Sequence, residues 1–139
     1  MNERQIELVQ HSFTRVASST LSSSTSFYYH LFETHPELRQ LFTGDLHNQG
    51  VMLMKVLSMA VNSLYDMDAL VPTLLELGER HKGYGVKAHH YDAVRDTLIW
   101  VLGQELGDDF TAEVEEAWNA TFDALALCMM GSEDQNIPA

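Results

Sequence analysis

The chain has 139 residues, enough for one substantial hydrophobic core and too few for a second catalytic module beside it. Twenty acidic against eight basic side chains give a net charge of −12, which opposes nucleic-acid phosphates and anionic membrane surfaces, so neither is expected as a partner. The opening residues hold no apolar run suited to a signal peptide, and no stretch reaches the roughly 20 apolar residues of a membrane span, so a cytoplasmic protein is expected.

Every long apolar pattern has helical spacing and none alternates long enough for a strand, so the class is all-α. From Glu3 to Ala17, Ile6, Val9, Phe13 and Val16 form one stripe. The Ser- and Thr-rich run Ser18 to Ser26 reads as a helix-to-helix junction, because Leu21 and Thr25 keep phase with Tyr28 and Phe32. That helix must stop before Pro36, since the residue preceding proline is pushed out of helical geometry. Pro36 then opens a short helix, PELRQLF, and Gly44 and Asp45 form a loop. A helix from about Leu46 to Leu64 carries Gln49, Leu53, Val56 and Ala60 in line. The next, from about Asp68, carries Leu70, Leu74, Leu77 and His81 and ends at Gly83 and Gly85. Helices from about His90 to Leu106 and from Thr111 to Met130 complete a domain over residues 1–130, and residues 131–139 are expected to be disordered. The single cysteine, Cys128, reads as a small core residue near a helix end.

Two of these stripes end in a polar residue. Packing the Gln49 helix and the His81 helix around a slot places one polar side chain on each face. A flat apolar cofactor with a central metal suits such a slot, and one imidazole on iron opposite a hydrogen-bond donor is how heme takes a diatomic ligand.

The stretches FYYHLFETHPELRQLFTGDLHNQGVMLMKVL and LVPTLLELGERHKGYGVKAHHYDAV, together with EEAWNATF, closely resemble the globin domain of bacterial flavohemoglobins and the related single-domain hemoglobins, over about Ile6 to Met130. The most specific pieces are FYxxLFxxxPELRxLF, the glutamine four residues before the leucine in QGVML, and LGxRHxxYGVxxxHY. The resemblance implies a globin fold of about seven helices around one heme b, with His81 as the proximal iron ligand and Phe42 as the residue wedging the heme. It implies Tyr28 and Gln49 as the distal pair and Leu53 as the apolar wall beside them. Tyr91 would brace His81, and Leu77, Val86 and Val94 would line the same pocket.

In the resembled family a glutamate near the end of the last helix joins the tyrosine and the proximal histidine in a hydrogen-bonded chain. Here an ungapped alignment from Trp118 puts Gln135 at that place, with Glu133 two residues away. The sequence ends where the resembled family's flavin and nicotinamide module would begin, so no internal electron source is expected and a separate reductase is.

His47, two residues before Gln49, is the alternative group for the distal face. His30, His35, His89 and His90 are expected on the surface, the last two as possible neighbours of the heme propionates. Met52, Met54 and Met59 read as packing residues. GVKAHH lacks the companions of a zinc site. The function expected is reversible binding of dioxygen, with nitric oxide and carbon monoxide as further ligands. The alternatives are a nitric oxide dioxygenase, in which Tyr28, Gln49 and Tyr91 would be the catalytic candidates, and a gas sensor. Monomer and dimer stay open.

Overall fold

The structure is a computed structural model that describes residues 1–17, 20–42, 44–83 and 85–130; these contain six α-helices, three short 3-10 helices and no strand. Helix α1 (Glu3–Ala17) buries the stripe Ile6, Val9, Phe13 and Val16, with Glu3 in its first turn and Arg15 in its last, as the helix dipole favours. Helix α2 (Thr20–Thr34) takes in most of the Ser-rich run, so the junction expected over Ser18 to Ser26 is largely helix; Ser18 and Ser19 lie outside the described residues. His35 is extended, at φ −136° and ψ 70°, because Pro36 follows it. Pro36–Leu41 is a 3-10 helix, a tighter coil suited to so short a piece.

Helix α3 (Leu46–Asn62) is N-capped by Asp45, whose carboxylate accepts from the His47 backbone N–H at 3.0 Å. A 3-10 turn, Leu64–Asp66, leads straight into α4 (Met67–Gly83), where Pro72 sits on the exposed face and leaves the Asp68 carbonyl without a helical donor. Helix α5 (Ala88–Leu106) starts two residues before His90, because the His90 ring caps it: Lys87 N–H donates to His90 Nδ1 at 2.8 Å. Helix α6 (Ala112–Met129) is capped by the Thr111 hydroxyl, which accepts from Val114 N–H at 3.2 Å. The expected tail, residues 131–139, lies outside the described residues.

Helix α2 packs on α3 and α5, and α1 packs on α6, α3 and α5, enclosing the main core. Trp118 is fully buried there, and its indole N–H donates to the buried Ser12 hydroxyl at 2.9 Å, which in turn donates to the Leu8 carbonyl at 2.7 Å. On the surface Arg4 pairs with Glu113 at 2.8 Å, Arg95 with Asp123 at 3.0 Å, and Arg15 with Asp109.

Helix α4 is attached differently. It runs along α6 through a separate cluster of Ala60, Leu70 and Leu74, joined by Leu125, Cys128 and Met129. Gly78 makes this approach possible, since a Cβ there would lie 1.8 Å from the Met129 carbonyl oxygen. Helices α3 and α4 meet near their connection, around Ala60, and beyond it have only marginal contact; α4 and α5 likewise. Toward the ends that carry Gln49 and His81, α3 and α4 are therefore not packed closely on each other.

Of the three methionines read as packing residues, only Met54 packs. Met52 and Met59 are exposed at 56% and 43%, because they lie seven residues apart on the outer face of α3, while Met54, Leu57 and Val61 turn inward. Cys128 is half-buried in the α4–α6 cluster.

Candidate functional site

His81 stands near the end of α4, half-buried, and its Nδ1 lies 2.6 Å from the Leu77 carbonyl oxygen four residues back. A carbonyl only accepts, so Nδ1 carries the hydrogen, and the lone pair is left on Nε2. That is the state in which an imidazole ligates a metal, with its orientation held from behind. The chain turns immediately after: Gly85 adopts φ +85°, and Val86 N–H donates back to the His81 carbonyl at 3.0 Å. This turn delivers α5 so that the Tyr91 ring lies 6.2 Å from the imidazole, inclined by 29°.

Leu53 from α3, Leu77 from α4, Val86 from the turn and Val94 from α5 are all half-buried, as is Phe42. Of these, Phe42, Leu53 and Val94 pack against the edge of the main core.

Tyr28 belongs to a tight aromatic group. Its ring lies 5.0 Å from Phe27, 5.9 Å from Phe32 and 5.5 Å from Phe42. The residue is 6% exposed, and burial pushes its phenol up to about 12, so it is a neutral donor at ordinary pH. Its hydroxyl has no hydrogen-bond partner among the described residues, yet no fully buried side-chain polar atom there lacks one. The phenol oxygen thus belongs to the small part of Tyr28 that reaches open space.

Gln49 is half-buried, with its backbone N–H on the Asp45 carbonyl, and its amide Nε2 lies against Gly44, 2.9 Å from where a Cβ would stand. No hydrogen bond or ring contact joins Tyr28, Gln49 and His81 to one another. His47 is exposed. His35 is 3.6 Å from Glu37, and His89 and His90 lie ring to ring at 4.1 Å. Of the four histidines expected on the surface only His89 is exposed; His35 and His90 are half-buried, as is His30, which stacks on Trp100 at 3.8 Å, α2 against α5. Glu133 and Gln135 lie outside the described residues.

One contributor was not legible beforehand. Arg39 donates from Nη1 to the Phe42 carbonyl at 2.7 Å and lies 5.3 Å over the Phe32 ring, which holds Phe42 in the aromatic group. Its place three residues before Phe42 is the only sequence signal.

Among the described residues, no three His, Cys, Asp or Glu side chains converge to hold a metal ion. The Globin family model matches residues 25–129. The chain is a globin. This globin is similar to the flavohemoproteins of Bacillus anthracis and Bacillus subtilis, 26% and 23% identical over 136 residues, which cover 96% of the chain. It spans about a third of the length of these curated relatives, 33% and 34%. Among solved structures it is similar to the engineered carbene transferase RmaNOD, described as a "putative nitric oxide dioxygenase from Rhodothermus marinus". That match has a TM-score of 0.87 and 28% identity over 97% of this chain and 94% of the other. Among the described residues no helix is long and apolar enough to cross a membrane.

Proposed function

We propose that this globin binds heme b between α3 and α4 and takes up dioxygen reversibly. The observation that carries the reading is half-buried His81, whose Nδ1 is committed to the Leu77 carbonyl so that Nε2 is left as the ligand nitrogen. The residues suit the group: one nitrogen ligand, half-buried walls of Phe42, Leu53, Leu77, Val86 and Val94, and marginal contact between the flanking helices. Heme, when bound, would supply an iron able to take the His81 imidazole and a diatomic gas.

The chain's own residues then divide the work. His81 fixes the cofactor through Nε2, while Leu77 holds the imidazole tautomer and Tyr91 limits its rotation. Phe42, held by Arg39, wedges the plane. Tyr28 offers an O–H that stays protonated to about pH 12 and so donates to a ligand with charge on its outer atom. Gln49 is the second donor once its amide leaves Gly44.

Absorption spectra of the heme-loaded protein in ferric, ferrous and carbon monoxide forms test cofactor and coordination together. His81→Gly is expected to lose heme, and added imidazole to restore it. Stoichiometric heme with an unchanged spectrum in that variant removes His81 from the role.

A second reading, nitric oxide dioxygenase activity with electrons from a separate reductase, is favoured by the likeness to RmaNOD and to flavohemoproteins. Nitrate formed in proportion to nitric oxide consumed, with a reductase supplied, supports it.

A further inference from the structure

Helix α5 begins on a cap unlike those of α3 and α6. Asp45 and Thr111 cap their helices with a side-chain oxygen, whereas Lys87, at the N-cap of α5, has no acceptor in its side chain. The duty falls on His90, whose Nδ1 accepts from the Lys87 backbone N–H at 2.8 Å, the reverse half of a capping box. Only a neutral imidazole with its hydrogen on Nε2 can do this. Once Nδ1 binds a proton it becomes a donor, and the Lys87 N–H faces another donor. His81 is the opposite case, since its Nδ1 donates to the Leu77 carbonyl.

This cap holds one end of a short connection. Val86 N–H is tied back to the His81 carbonyl at 3.0 Å and Lys87 N–H forward to His90, after which Tyr91 sets its ring 6.2 Å from His81. The titratable and charged groups facing His90 are His89, ring to ring at 4.1 Å, Lys87 at the cap, and Glu37 of the 3-10 helix, which has His35 3.6 Å away. Burial, then His89 and Lys87, hold the His90 imidazolium below its ordinary value, and Glu37 opposes them without reversing the direction.

We propose that the Lys87–His90 hydrogen bond is an acid-released latch: protonation of His90 at Nδ1 frees Lys87, loosens the first turn of α5 and takes Tyr91 from its fixed place beside His81. The released ring, in water, takes up a proton at about pH 6.5, where the capped ring resists it. The latch is therefore closed above about pH 6.5 and opens as the pH falls below that. Its opening constant rises about tenfold for each pH unit until the capped ring is itself protonated. The latch rests on this chain's own atoms; only an effect on bound heme would rest on the heme reading above.

The test is an NMR titration of the full chain from about pH 8 to pH 5, heme-loaded in its diamagnetic carbon monoxide form. At the upper end the His90 ring nitrogens are expected to show the hydrogen on Nε2. Below about pH 6.5, protection of the Lys87 amide against hydrogen exchange, corrected for the intrinsic rate, should drop about tenfold per unit, with the Tyr91 ring signals moving over the same range. His90→Gln supplies an acceptor that does not titrate and is expected to keep Lys87 protected and the Tyr91 signals still throughout. His90→Ala is expected to leave Lys87 unprotected at every pH. A hydrogen on Nδ1 at the upper end, Lys87 protection that ignores pH, or the same Tyr91 movement in His90→Gln overturns the proposal. Failure of the heme reading is seen separately, as a missing heme absorption band, and the same titration of the heme-free chain then decides the latch.

Discussion

Replacing Gly78 with alanine sets two effects of opposite sign against each other. In the middle of a helix, alanine is favoured over glycine by about 1 kcal/mol. The new Cβ, however, would stand 1.8 Å from the Met129 carbonyl oxygen and 2.7 Å from its carbon. These are backbone atoms, so no rotamer change relieves the clash, and restoring contacts of about 3.5 Å means parting α4 from α6 by roughly 1.5 Å. Overpacking costs about 1–3 kcal/mol, and the upper end applies because Leu70, Leu74 and Leu125 lose contact as the helices separate. The net expectation is destabilisation by about 2 kcal/mol. With an unfolding entropy of about 2.1 cal/mol/K per residue, that lowers Tm by about 7 °C. Because α4 carries His81, heme transfer to an excess of apomyoglobin should also quicken. Thermal melts followed by circular dichroism, with the heme-transfer rate, check both. A Gly78→Ala protein that melts above its parent, as helix propensity alone requires, refutes the close approach of α4 and α6.

Tyr28→Phe removes the phenol donor. A hydrogen bond to a charged acceptor contributes about 1.5–3 kcal/mol, so stopped-flow dioxygen release should quicken about tenfold or more, while carbon monoxide release changes much less. The same variant alters alkaline stability. The folded phenol is raised to about 12 against about 10 in the unfolded chain, so its contribution is fully present below pH 10 and is lost as pH rises from 10 to 12. Two pH units correspond to about 3 kcal/mol at most, and urea midpoints across that range should fall less steeply in Tyr28→Phe than in the parent. Ser12→Ala leaves the fully buried Trp118 N–H without its acceptor, and an equilibrium unfolding curve should show a loss of about 1–3 kcal/mol.

Much of this architecture is legible from spacing, because each helix buries one face. The stripe Ile6, Val9, Phe13 and Val16 marks α1 to the residue, and Leu70, Leu74, Leu77 and His81 place the imidazole on the inner side of α4. Pro36 announces the break after α2, though not that its short helix is 3-10, since that follows from having only six residues between two fixed ends. What depends on two distant segments was hidden. Spacing gives no sign that Met129 lies against Gly78 or that Arg39 reaches the Phe42 carbonyl. Met52 and Met59 do not pack with Met54, because a two-residue step turns a helix by about 200° and sets Met52 opposite Met54. The candidate site was legible chiefly through the resemblance, which singled out Tyr28, Gln49 and His81 from chain segments that spacing alone does not join.

The two tryptophans sit in opposite surroundings. Trp118 is sealed in the core with its N–H bound to Ser12, whereas Trp100 is 38% exposed and stacked on His30. The chain therefore carries two optical reporters of different colour. Trp118 should emit toward the blue and resist a dissolved quencher such as acrylamide, while Trp100 should emit toward the red and yield to it. Quencher titration would divide the fluorescence into an interior signal and one from the α2–α5 surface. Loosening at that surface and melting of the core could then be timed separately in a single cuvette without any added label.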